Sequence, residues 1–220
     1  MPTTITFTNL FAYQLGTKLI DIDTDSIKVC LARTGFVFDK TLHEKLINIR
    51  TTTGATTLDA VAATKKFTRV AGSFVTDGFV AGNQITASGF GGGVDGVYTI
   101  DTVAALEIVV LEAIAGNISG GGDEALASDD ELTTGFGYTQ FTKTTGATTV
   151  TQDTTGCLLT YPTVTWTAAG GDIGPTPGAF LIDETVAGDT VVQYIAFDAE
   201  KTATDGTNFD IGNGSITIAT

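Results

Sequence analysis

A chain of 220 residues with 25 acidic against 11 basic side chains has a net charge of -14, which disfavours nucleic acid and anionic membrane surfaces as partners, since both need Lys and Arg to neutralise phosphate. An apolar fraction of 42% suffices for packed cores and argues against disorder. The 27 glycines and abundant Thr favour short strands and turns over helices.

Met1 to Thr6 has neither a basic start nor an apolar run long enough for secretion or a membrane span, so synthesis in a cytoplasm is expected. Phe7, Leu10, Phe11, Leu15 and Leu19 recur at helical spacing, which predicts a short amphipathic helix capped by Thr6 and weakened at Gly16. A polar turn at Asp21 to Asp25 leads into Ser26 to Thr34, where Ile27, Val29 and Leu31 alternate with Lys28, Cys30 and Ala32 as in a strand. Phe36 to Ile49 admits a helical turn through Leu42, Leu46 and Ile49 or an extended loop; one short turn is the favoured reading.

Thr51 to Asp129 reads as a small β module set into a parent domain made of residues 1–50 and 130–220. A near repeat accompanies it, TTGATTL at Thr52 to Leu58 and TTGATTV at Thr144 to Val150. Strands are expected at Lys66 to Val70 and Gln84 to Ser88, separated by a turn-bearing connection at Gly72 to Asp77. After the glycine-rich loop Gly89 to Gly93, Val97 to Val103 and Leu106 to Leu111 pair across Ala104 and Ala105. From Ala113 to Asp129 the Gly, Ser and Asp content predicts a linker back to the parent domain. Five or six strands in this length suggest a small barrel or compact sandwich.

In the parent domain, Thr148 to Gln152 and Cys157 to Tyr161 read as strands, and Thr163 to Ala168 places Val164, Trp166 and Ala168 on one face. Gly170 to Gly178, with Pro175 and Pro177, is expected to be a loop. Ala179 to Ile182, Val191 to Phe197, Asn208 to Ile211 and Ile216 to Ala219 complete the strands, and Val191 to Phe197, apolar on both faces, belongs in the middle of the fold. Val164, Trp166, Val191, Ile195 and Phe197 are the expected core. The fold class is therefore mainly β: a β-sandwich parent with a short N-terminal helix, carrying an inserted small β-barrel or sandwich.

The motifs that would carry chemistry are each incomplete. Gly91, Gly93 and Gly96 match GxGxxG but run into a strand, whereas pyrophosphate binding needs the N-terminus of a helix there. Asp21, Asp23 and Asp25 begin a calcium loop, yet its sixth position is Ser26 rather than Gly and its twelfth is Ala32 rather than Glu, so a solvated acidic turn is favoured over a cation site. His43, the single histidine, lacks the second His of HExxH. Asp183 and Glu184, adjacent on a strand, point to opposite faces and do not share a substrate. Cys30 and Cys157 have no CxxC spacing and read as buried apolar side chains. No catalytic, cofactor or metal residue is assigned, and no enzymatic activity is expected.

Four blocks, Ile20 to Lys40, Asp130 to Lys143, Thr163 to Thr185 and Val191 to Ile211, resemble in this order a family of small tailed-bacteriophage proteins encoded among head and tail morphogenesis genes. In compact members the segment like Phe36 to Arg50 runs almost directly into the one like Asp130 to Tyr138, and the stretch between them here is similar to a mobile phage β module. The resemblance implies a virion structural protein in a homo-oligomer, made in the host cytoplasm and contacting capsid, portal or tail proteins. First choice within that class is an accessory that decorates the capsid or portal vertex. A tail or head-tail component or fibre adaptor comes next, and a host-glycan binding module, with Trp166 and the tyrosines as sugar platforms, is the reading from a different class.

Overall fold

A computed structural model describes residues 2–17, 19–21, 24–53, 56–146, 149–153, 156–212 and 215–219, with side chains at 6–17, 19–21, 24–53, 56–146, 149 and 160–212. The protein is mainly β. Its elements in chain order begin with β1 (Pro2–Phe7), α1 (Asn9–Gly16), β2 (Ile27–Leu31), β3 (Arg50–Thr52), β4 (Leu58–Val61) and β5 (Lys66–Arg69). Then follow β6 (Gln84–Ser88), β7 (Gly96–Val103), β8 (Glu107–Val110), β9 (Ala125–Asp129), β10 (Lys143–Thr144) and β11 (Thr149–Asp153). The last are β12 (Gly156–Thr160), β13 (Val164–Thr167), β14 (Ile173–Asp183), β15 (Thr190–Ala203), β16 (Asn208–Ile211) and β17 (Ser215–Ala219). The chain divides into two compact units, Met1–Leu46 with Glu131–Thr220, and Ile47–Asp130.

The first unit is a β-sandwich type. An antiparallel sheet ordered β1-β15-β14-β2-β10 faces the two-stranded ribbon β13-β16, and β11-β12-β17 form a third sheet. Between the five-stranded sheet and the ribbon lie Val29, Leu31, Leu181, Ile195, Trp166 and Phe209, with Phe11 of α1 at the margin. Trp166 is 1% exposed and sits 5.5 Å from the Tyr138 ring and 6.5 Å from Phe209.

The helix at the N-terminus starts later than expected. Thr8, not Thr6, is its cap, accepting from the Phe11 N–H at 3.1 Å, and Thr6 lies in strand β1. The β-branched run before it favours an extended backbone, and the Thr8 hydroxyl also donates to the Val191 carbonyl at 2.6 Å, tying the strand-to-helix corner to β15. The expected loop at Gly170 to Gly178 is corrected as well, because β14 already begins at Ile173. Register shifts on both sides of Thr176 leave Pro175 and Pro177 without paired positions, so neither ring removes a ladder hydrogen bond.

A further shift at Leu181/Ile182 inserts one extra residue in β15. Alternation changes there, and Val192 rather than Val191 joins Ile195 in the core; Val191 is buried outside that cluster and Phe197 packs at its rim. Residues Thr190 to Ile195 are all buried, as a strand covered on both faces requires. The second face is covered by the segment after β2. Phe36 meets Phe180 at 5.1 Å, Phe38 stacks on Tyr194 at 4.9 Å, and His43 packs against Phe36 at 4.9 Å.

A buried polar link fastens the return from the second unit. The Tyr138 hydroxyl donates to Glu131 Oε1 at 2.6 Å and accepts from the Leu31 N–H at 2.9 Å, while Glu131 Oε1 also accepts from Phe141 N–H at 2.8 Å. Burial, then the Glu131 carboxylate, hold the phenol far above its ordinary range. Tyr138→Phe removes one partner from each of two buried groups and is expected to cost about 1–3 kcal/mol in urea unfolding; a loss under ~0.5 kcal/mol would mean the link is dispensable.

The second unit is one seven-stranded sheet ordered β3-β9-β6-β7-β8-β5-β4. Strand β7 pairs with β6 through Gly96 to Thr99 and with β8 through Ile100 to Val103, with a register shift at Ile100/Thr102 where it changes partner. Phe67, Phe74, Ile85, Ile100, Ile108 and Leu126 lie in its core. Arg69, 8% exposed, holds the connection after β5: its guanidinium pairs with Asp77, its Nε donates to the Ala71 carbonyl at 2.6 Å, and it lies 4.8 Å over the Phe74 ring. The stretch Ala113 to Asp129 is not all linker. Its end is β9, between β3 and β6, and Leu126 is fully buried. With β3 and β4 this gives seven strands rather than five or six.

The near repeats occupy equivalent places. Each joins the end of one strand to the start of the next, β3 to β4 and β10 to β11, and the matched threonines Thr53 and Thr145 are both buried. Their N–H groups extend a ladder, Thr53 to the Leu126 carbonyl at 2.8 Å and Thr145 to Ile27 at 2.9 Å. Gly54, Ala55, Ala147 and Thr148 fall outside the described residues.

Candidate functional site

The first unit carries an open groove of about 580 Å³, lined by Phe36 to Thr41, Thr6 of β1, Pro177 of β14, and Tyr194, Ala196 and Phe197 of β15. Its floor follows from the packing above: Phe36 and Phe38 turn inward onto Phe180 and Tyr194. Val37, between them, is left 81% exposed. The Asp39 carboxylate accepts from Thr41 Oγ1 at 2.6 Å and from Thr41 N–H at 2.7 Å, which fixes the turn that ends this segment. Bonds from Thr41 hold the Asp39 carboxyl below its usual range, whereas burial raises the Tyr194 phenol. Both shifts lead away from neutrality, so Asp39 is ionised and Tyr194 protonated at pH 7, and neither is tuned to pass a proton. The groove offers apolar contact rather than chemistry. Its sequence signal was the run Phe36, Val37, Phe38, apolar yet without strand or helix period.

Gly91, Gly92 and Gly93 take positive φ, as a tight loop needs, but Gly96 begins β7 and no helix follows. The loop's amides are already engaged, since Phe90 N–H and Gly91 N–H donate to Asp95 Oδ1 at 2.8 and 3.2 Å. Asp21 and Asp25 form a turn in which Asp21 N–H donates to Asp25 Oδ2 at 2.7 Å; Asp23 falls outside the described residues. His43 is 2% exposed beneath Phe36 and Phe38, a core role the sequence did not signal. Asp183 is fully buried, while Glu184 accepts from Ser26 Oγ at 2.5 Å and lies 3.4 Å from Lys28. Cys30 is buried, and the Cys157 side chain falls outside the described residues.

Among the described residues, no group of three or more His, Cys, Asp or Glu is placed to hold a metal ion, and no helix is long and apolar enough to cross a membrane. Compared with protein-family models, curated proteins and solved structures, the chain matches none.

Proposed function

We propose that this chain is a non-enzymatic structural protein of a tailed-bacteriophage virion, an accessory of the capsid or portal vertex that works by contact through the groove around Val37. The observation carrying this reading is where the resembling sequence blocks converge. All groove residues except Thr6 and Thr41 come from three of those blocks, and they meet to frame an exposed apolar side chain. A modest contact of this kind, repeated by symmetry, holds through effective concentration without a large interface per copy. The acidic surface turns the partner away from packaged genome and toward protein.

Burial of aromatics disfavours the glycan reading. Trp166 is enclosed in the core, and of the tyrosines only Tyr13 is well exposed, at 66%, so Trp166 and the other four tyrosines present no open face for a sugar to stack on. Cryo-electron microscopy of the particle tests the proposal: density for this chain at a symmetric site is expected, and its absence from mature virions overturns the reading. Val37→Asp is expected to leave stability within about 0.5 kcal/mol, since the side chain is mostly solvated. Incorporation into particles should nonetheless fall by about tenfold or more, as for loss of a contact worth over ~1 kcal/mol. Normal incorporation of the variant would remove the groove from the interface.

A further inference from the structure

The end of the β14 and β15 pair holds oxygen atoms that the fold leaves without partners. Asp183, the last residue of β14, is fully buried; its Oδ1 accepts from the Thr185 N–H at 2.8 Å, but its Oδ2 has no hydrogen-bond partner among the described residues. Its cross-strand neighbour Thr190 is equally buried, and its Oγ1 is likewise unpartnered. Side chains directly opposite each other on one sheet face stand about 5 Å apart at Cβ, so both oxygens serve the same small volume.

The Asp25 carboxyl lies within hydrogen-bonding reach of Asp183. The turn that carries Asp25 is built to hold it there. Asp25 N–H donates to the Asp21 carbonyl at 2.8 Å, its Oδ2 accepts from Asp21 N–H, and the next residue is tied to the far loop by Ser26 N–H to Thr185 Oγ1 at 2.8 Å. Among the described residues neither Asp25 nor Asp183 is joined to a Lys or Arg; Lys28, close by in β2, is engaged by Glu184 at 3.4 Å.

Two ionised carboxylates only accept, so they meet in an interior only across a positive charge or a shared proton. Burial raises the Asp183 carboxyl to about 6, against the hydrogen bond from Thr185 and with the Asp25 charge. We propose that Asp25, Asp183 and Thr190 Oγ1 form a binding site for a hard divalent cation of the calcium class. The donors are all oxygen, the set such ions select, and a site with two carboxylates belongs to the weak end of calcium affinities, roughly 0.1–1 mM. It is not the calcium loop suggested by Asp21, Asp23 and Asp25, because its ligands come from one turn and two paired strand ends. The ion would join the turn Asp21 to Ser26 to the β14-β15 corner.

Calcium chloride added to the full chain at pH 7.5, against sodium chloride of equal ionic strength, tests the site by calorimetry. At about ten times Kd, the melting temperature of the first unit should rise by about 3–6 °C, with saturable heat of binding. Asp25→Asn and Asp183→Asn should each abolish the rise, and in chelator each should melt at or above the wild-type temperature, which shows that they fold. An unchanged melting temperature in wild type, or an equal rise in both variants, overturns the proposal. So does proton control: with the carboxyl raised, stability from a shared proton is full below about 3.8 and lost as pH rises through about 6. Wild type that follows this profile and ignores calcium at pH 7.5 carries a proton there, not a metal.

Discussion

Trp166→Ala is expected to destabilise the first unit by about 3–5 kcal/mol, the range for removing a large buried ring whose cavity does not collapse. The ring is the largest of the fully buried side chains and stands between the β13-β16 ribbon and Tyr138. Its indole Nε1, however, is buried without a hydrogen-bond partner among the described residues. Trp166→Phe keeps most of the volume and removes that unpaired N–H, so its expected cost is under half that of the alanine variant, about 1–2 kcal/mol. Urea unfolding of both variants separates shape from polarity. If alanine cost less than ~1 kcal/mol, the ribbon would not depend on the ring, and a Trp166→Ala protein with unchanged melting that lost sugar binding would restore the glycan reading.

Removing the second unit is the other large test. With Leu46 joined to Glu131 through a short Gly-Ser link, the first unit is expected to unfold in one cooperative transition of its own, and residues 47–130 expressed alone to do the same. Each unit has its own core. The pairing of Arg50 with Asp129, continued by the Asp130 N–H bond to the Ile49 carbonyl at 2.8 Å, sets the chain entering the second unit beside the chain leaving it, so a short link suffices. A non-cooperative or insoluble first unit after the deletion would show that it depends on residues 47–130 for its fold.

Strands were legible where polar and apolar residues alternate cleanly. Strand β6 falls on the expected Gln84 to Ser88, β16 on Asn208 to Ile211, and the burial of Trp166 follows from its threonine neighbours. Strand β9 was hidden because Ala125, Ala127 and Ser128 have weak strand preference and follow a glycine-rich stretch; only pairing on both sides makes that segment a strand. The prolines of β14 concealed its first half for the opposite reason, a strong local signal overridden by irregular register. At the groove, Phe36 and Phe38 gave no period to read. The Asp25 and Asp183 pair joins residues 158 positions apart in sequence by the same loop contact that links Ser26 to Glu184, and no local pattern announces it.

The place of β1 has a consequence for synthesis. Among the described residues β1 pairs with β15 alone, and the corner that follows it is fastened by a hydrogen bond from Thr8 to Val191 across a separation of 183 residues. At ~5–20 residues per second, roughly 10–40 s pass between the emergence of the two from a ribosome. Through that interval β1 is without its partner strand, whereas the contiguous stretch 47–130 has every one of its seven strands in hand. The unit 47–130 is thus poised to fold first, while the domain that surrounds it waits for β15.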